Sequence, residues 1–144
     1  MFIGKTFNSL DAKNRLIVPT KLRDKLGFSC VMTKGFEECI YVYTPESWAE
    51  WEEKLARLPK ADPDARAFVR YFYYNAAECD IDKQGRVTLP AELREYAHIL
   101  RDAVTIAMND RIEIWGREHW EKMSGSPERM DARGAQEAML KYGI

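Results

Sequence analysis

The sequence predicts an α+β fold built from two tandem halves that pack about a pseudo-twofold axis, with helices on the outside. Three observations point there. The stretch "SLDAKNRLIVPTKLR" (9–23) returns as "DIDKQGRVTLPAELR" (80–94), with Asp11 and Asp82 standing 71 positions apart. Each copy runs from a turn to a short strand to a Pro-led helix, so mixed secondary structure is written into both. The likeness then continues with a slip of one residue: Ile40, Val42, Glu46 and Trp48 match Ile112, Ile114, Glu118 and Trp120. A period near 70 is that of a duplicated small unit, because solenoid repeats run roughly 20–50 residues.

The elements follow in chain order. "LDAKNRLIV" and "IDKQGRVTL" each read as a tight hairpin. Asp11 and Asp82 at the first turn position can accept hydrogen bonds from the backbone two residues on. Asn14 and Gly85 then occupy the corner, and these are the residues that most readily adopt a left-handed conformation. The pattern is that of a three-residue loop, a type I turn closed by a left-handed residue. Arg15 and Arg86 open the outgoing strands. Pro19 and Pro90, placed at the first helical position, start short helices in which Leu22–Arg23 and Leu93–Arg94 match, and Gly27 ends the first.

Two further strands are expected in each half, "CVMTK" with "CIYVY" and "AVTIAM" with "RIEIW", joined by the turn-like "GFEE" and "ND". Thr44 and Pro45 cap a helix with Trp48, Trp51, Leu55 and Leu58 at helical spacing, and "REHWEKM" is its shorter counterpart. Asp62 and Pro63 begin a connecting helix whose Phe68, Phe72 and Tyr73 are expected to pack across the seam between halves. After "GSP" (125–127) a final amphipathic helix is expected, with Met130, Met139 and Tyr142 on one side. Gly134, read as lying in its middle, costs such a helix about 1 kcal/mol relative to Ala. The expected organisation is a first domain at 1–58, a connecting helix at 59–77, a second domain at 78–124 and a C-terminal helix at 125–144.

Composition bounds the function. At 46% apolar and 31% charged residues the chain is globular. No apolar run approaches the ~20 residues of a membrane-spanning helix, and "MFIGKTFNSLD" is too short and polar for a secretory signal. Cys30, Cys39 and Cys79 form no CxxC motif and are an odd set, which points to reduced thiols in a cytoplasm. The net charge of −1 is unevenly spread. Residues 1–36 carry seven cations (Lys5, Lys13, Arg15, Lys21, Arg23, Lys25, Lys34) against Asp11 and Asp24, a net of +5, which leaves −6 on the rest. A basic end on an acidic body suits a polyanionic partner.

Within that basic end the arginines carry the chemistry. Arg15 and Arg86 each sit beside a turn, four residues after an Asp. One reading is a local ion pair that stiffens the loop. The other aims the guanidinium outward at phosphates or guanine edges while the Asp orients it. Lys13 and Lys83, one position apart in register, lie near the turn tips and would add phosphate contacts, with Lys5 nearby. The first turn is the more basic, whereas Glu78, Asp80 and Asp82 surround the second. Direct contact is therefore expected of Arg15 first and Arg86 second.

Three stretches, "MFIGKTFNSLDAKNRLIVPTKLRDKL", "DARAFVRYFYYNAAECDIDKQGRVTLP" and "IEIWGREHWEKM", resemble the MraZ family over almost the whole chain, weakening after about Ser124. The resemblance implies two tandem AbrB-like (SpoVT-AbrB, double-split β-barrel) domains. Each is centred on a DxxxR motif, matched here by Asp11 with Arg15 and Asp82 with Arg86. It further implies a homo-oligomeric ring, commonly octameric, that is cytoplasmic and nucleoid-associated. That ring binds short direct repeats of double-stranded DNA in its own promoter and usually represses a division and cell-wall gene cluster. No cofactor is implied. The first motif departs from the more usual DxxGR by carrying Asn14, which can take the same left-handed turn.

Two other classes compete. For an enzyme, His98 and His119 lack metal-ligand spacing, and neither a phosphate-binding glycine loop nor GxSxG is present. Glu52 and Glu53 are neighbours on a helix and diverge. For an interaction module of antitoxin type, the aromatic set Trp48, Trp51, Phe72, Tyr73 and Tyr74 would be the partner surface. Core packing plus a ring interface accounts for the same residues.

Overall fold

The computed structural model describes residues 3–125 and 130–144. In chain order the elements are β1 (Ile3–Ser9), β2 (Arg15–Ile17), α1 (Thr20–Leu26), β3 (Ser29–Lys34), β4 (Ile40–Tyr43), α2 (Pro45–Ala56), α3 (Pro63–Tyr74), β5 (Ala77–Asp80), β6 (Arg86–Thr88), α4 (Ala91–Tyr96), β7 (Asp102–Met108), β8 (Arg111–Gly116), α5 (Arg117–Gly125) and α6 (Ala132–Tyr142). It is a mixed α/β architecture, and no described helix is long and apolar enough to cross a membrane.

An antiparallel six-stranded sheet runs β1-β7-β8-β4-β3-β5, and a second sheet holds only β2 and β6. The order is unchanged when the halves are exchanged, as the repeat demands. At its centre Ile40 faces Ile114 and Val42 faces Ile112, so matched residues cross over. The small ribbon obeys the same rule, with Arg15 opposite Thr88, Leu16 opposite Val87 and Ile17 opposite Arg86.

Strand exchange corrects the hairpin expectation. β1 does not fold back on β2; it pairs through seven residues with β7 of the other half. β5 likewise pairs with β3. A hairpin onto a three-residue strand offers few ladder bonds, whereas the outer edge of β7 accepts all of β1. What survives locally is the turn and, in the second half, one bridge between Ile81 and Val87.

Alternation along the strands divides the interior. Ile40, Val42, Ile112 and Ile114 point to one face and meet Leu16, Val87, Leu22, Leu26 and Leu93 from the ribbon, α1 and α4. The opposite face carries Tyr41, Val104 and Trp115, packed by Trp120 and Met123 of α5. Pro19 and Pro90 stand one residue earlier than expected, as N-caps rather than first helical residues.

The outer helices start as the sequence suggests. The Thr44 hydroxyl accepts from the Ser47 N–H at 2.9 Å, and the Asp62 carboxylate accepts from the Asp64 N–H at 2.9 Å. Phe68, Phe72 and Tyr73 of α3 have their ring partners within the first half and α3 itself, not across the seam. Phe72 is 2% exposed and lies edge-on to Trp51 of α2, Phe36 of the β3–β4 loop and Phe68. Tyr73 meets Trp48. A short link between α2 and α3 makes them antiparallel neighbours, so these rings find first-half partners. At α6 Met130 lies before the N-cap Asp131, outside the helix. Gly134 is its third residue rather than its middle, and its N–H is taken by Asp131 at 2.7 Å. Ser126 and Pro127 of the expected "GSP" break lie outside the described residues.

Candidate nucleic-acid interface

Both turns are built by their aspartates. Asp11 Oδ1 accepts from the N–H groups of Lys13 and Arg15 at 2.9 Å each, and Oδ2 accepts from Arg15 Nε at 2.7 Å. Asp82 repeats this with Gln84, Arg86 and Arg86 Nε at 2.9, 2.8 and 2.9 Å. The corner residues have φ of +58° at Asn14 and +76° at Gly85, and each donates back to its Asp carbonyl. The backbone N–H of the following Arg, above all, holds each Asp carboxyl below its ordinary value, with the guanidinium adding to it.

The ion pair and the outward arginine turn out to be compatible. Each guanidinium is fixed through Nε alone, and among the described residues the Nη groups of Arg15 and Arg86 have no partner. Fixing a guanidinium at one edge presents its fork outward with little rotamer freedom left to lose.

The ribbon brings the two turns together. Leu16 and Val87 point inward and are buried, so Arg15, Ile17, Arg86 and Thr88 share the outward face. Arg15 and Arg86 are diagonal neighbours, a relation that sets Cα atoms roughly 7–8 Å apart. Each turn is also bonded to the other half: Val18 N–H donates to the Gly85 carbonyl at 2.7 Å, and Leu89 N–H to the Asn14 carbonyl at 3.1 Å.

Lys13 and Lys83 are exposed at the two tips. Lys5 is elsewhere: its amine lies 5.4 Å from the Phe7 ring, on the sheet face of Val104 and Trp115 that turns away from the ribbon. The outward Ile17 and Thr88 were missed, because a three-residue strand is too short for its alternation to be read.

Arg23 was missed too, although its match with Arg94 was a signal. Arg23 Nε donates to the Val18 carbonyl at 3.0 Å, and its guanidinium lies over Gly85, where any Cβ would overlap it. At the first turn the matching corner residue, Asn14, carries a side chain where Gly85 has none. Arg94, the residue matching Arg23, has an Nε that is buried with no partner among the described residues.

The histidines meet at a separate place. Their rings are 5.3 Å apart, with His98 Nε2 3.2 Å from Glu38 Oε1 and His119 Nε2 2.9 Å from the Glu37 carbonyl. Among the described residues no group of three or more His, Cys, Asp and Glu is placed to hold a metal.

Known proteins agree with the repeat. The family model described as "MraZ protein, putative antitoxin-like" matches residues 1–71 and again 72–142. A curated relative from Clostridium tetani, "Transcriptional regulator MraZ", is 46% identical over 144 residues, all of both chains. One of the same name from Acetivibrio thermocellus is 44% identical over the full length of both. A third, from Lactiplantibacillus plantarum, is 52% identical over 122 residues, 85% of this chain and 86% of its own. These names are those of a regulator and not of an enzyme. With two family matches covering nearly every residue and full-length relatives of this similarity, the chain belongs to the MraZ family.

Proposed function

We propose that this chain is a sequence-specific DNA-binding regulator of transcription. It represses its own division and cell-wall gene cluster, acting in the cytoplasm at the nucleoid. The observation that carries the reading is the outward ribbon face, where Arg15 and Arg86 stand diagonally with Nη groups that have no partner among the described residues. Two forks at this separation match neighbouring phosphates or a phosphate and a guanine edge. Lys13 and Lys83 at the tips add phosphate contacts. In the proposed assembly, double-split barrel units form a ring, commonly octameric, and the basic first halves make a belt. Weak contacts on spaced direct repeats then multiply through effective concentration.

The test is binding of the purified protein to a labelled promoter fragment with direct repeats, beside a scrambled fragment, across a salt series. Preference for the repeats, a steep loss with salt and failure of a folded, assembled Arg15→Ala protein are expected. Retained binding by that variant removes Arg15 from the interface. Equal, weak binding to both fragments would favour a second reading, a protein-interaction module of antitoxin type. That reading has its own observation, an apolar groove of about 490 Å³ between α2 and α3 lined by Leu55, Leu58, Val69 and Tyr73.

A further inference from the structure

Cys30 and Cys79 stand directly opposite each other in the antiparallel pairing of β3 with β5. Two residues along the same ladder the Ile81 N–H donates to the Phe28 carbonyl at 2.8 Å. Cys30 and Cys79 are therefore also a hydrogen-bonded pair, and such pairs hold Cα atoms roughly 5.5 Å apart, inside the span that disulfides bridge. Both side chains point into the main core beneath the ribbon, 1% and 8% exposed. The two thiols face each other across the ladder and interact. That interaction pushes Cys30 up, with burial adding to it, and draws Cys79 down. The Cys79 thiol also reaches the Ala77 carbonyl at 3.6 Å.

The third thiol is differently placed. Cys39 donates to the Phe36 carbonyl at 3.1 Å and belongs to the cluster on the other sheet face. At the equivalent seam the residues facing each other are Asn8 and Ala103. Of the two seams made by strand exchange, one alone carries a thiol pair.

We propose that Cys30 and Cys79 are a modification site, closed by hydrogen peroxide to a cross-strand disulfide that clips the edge strand β5 to β3. The Cys79 thiolate attacks one peroxide oxygen and the O–O bond breaks. This gives a sulfenic acid and a hydroxide that takes up the proton Cys79 lost. The Cys30 sulfur then attacks the Cys79 sulfur; the S–S bond forms, the S–OH bond breaks, and the hydroxyl leaves with the Cys30 proton as water. Two thiols and one peroxide become one disulfide and two waters. Access comes through β5, four residues long and joined in the sheet to β3 alone, because edge segments of this kind open locally at low cost. The clip lies three residues before Asp82 and so stiffens the approach to the second turn and not the first. This inference does not depend on DNA being the partner.

The experiment treats the purified, fully reduced protein with graded hydrogen peroxide. Remaining thiols are then alkylated under denaturing conditions, and intact mass and non-reducing peptide maps are measured. The expected product has lost two hydrogens, carries one alkyl group instead of three, at Cys39, and yields a peptide pair joining Cys30 to Cys79 that a thiol reductant separates. Cys79→Ser is expected to keep both remaining thiols under the same treatment. Three persisting thiols, oxygen added to one cysteine without a link, or a link through Cys39 or between chains would each overturn the proposal. Should Cys79→Ser fail to fold, the peptide map of the unaltered protein decides alone.

Discussion

The two turns share one backbone plan and differ at the corner, and the difference falls on a neighbour. At the second turn Gly85 leaves a bare surface on which the Arg23 guanidinium rests, with Nε bonded to the Val18 carbonyl. At the first turn Asn14 satisfies the same left-handed φ but adds a side chain, and Arg94, the residue matching Arg23, has an Nε that is buried with no partner among the described residues. A corner residue is thus chosen for what lies over it as well as for its own dihedral angles.

The comparison breaks altogether if the ribbon beneath both turns is hollowed. Leu16→Ala, at 2% exposure, is expected to cost about 2–5 kcal/mol and to loosen both turns together, read by denaturant unfolding. If only the first turn loosened, the ribbon would not be their common support. Next in size, Gly85→Asn makes the second turn like the first. The expelled Arg23 loses its bond, so a loss of about 1–3 kcal/mol is expected in the same assay. An unchanged midpoint would show that the guanidinium seat contributes nothing.

A finer cut compares the arginines themselves. Arg23→Ala is expected to cost about 1–2 kcal/mol, and Arg94→Ala about zero, because the latter removes an orphaned buried donor. Equal losses would mean that the turns are energetically alike. Smaller still, Asn14→Gly is expected to gain up to about 1 kcal/mol, read in the same assay, by relieving left-handed strain.

Acid should act on both turns alike. Asp11 and Asp82 have carboxyls held below the ordinary 3.8. A depressed folded value means that the stabilisation is present above the unfolded value and lost as pH falls through the folded one. Amide resonances of Lys13, Arg15, Gln84 and Arg86 are therefore expected to shift together below about pH 4. Movement of one turn well before the other would separate them.

Legibility followed the range of the interactions. The turns were readable because Asp, a left-handed corner and Arg lie within five residues, and the duplication allowed each copy to check the other. Strand partners were not, because alternation in β1 states which residues share a face and is silent on which edge receives it. For the same reason Phe72 was known to be apolar at helical spacing, yet its burial against Trp51 rather than across the seam depended on the short α2–α3 link. At the site, Arg15 and Arg86 were evident from the motif. Lys5 was grouped with them by sequence proximity, whereas its pairing opposite Ile106 sets it on the β1–β7 edge; Arg23 arrives from α1 over a turn in the other half.

Strand exchange also sets a timetable for synthesis. β1 is made first, and its first residue, Ile3, finds its partner at Met108. At ~5–20 residues per second a ribosome takes roughly 5–20 seconds to supply that partner. Throughout this interval the nascent chain carries a seven-residue strand with Ile3 and Phe7 and no edge to join. The first half cannot be finished before the second is nearly complete: β3, β4 and β5 are all made while β1 still waits, so the seam that starts earliest closes last.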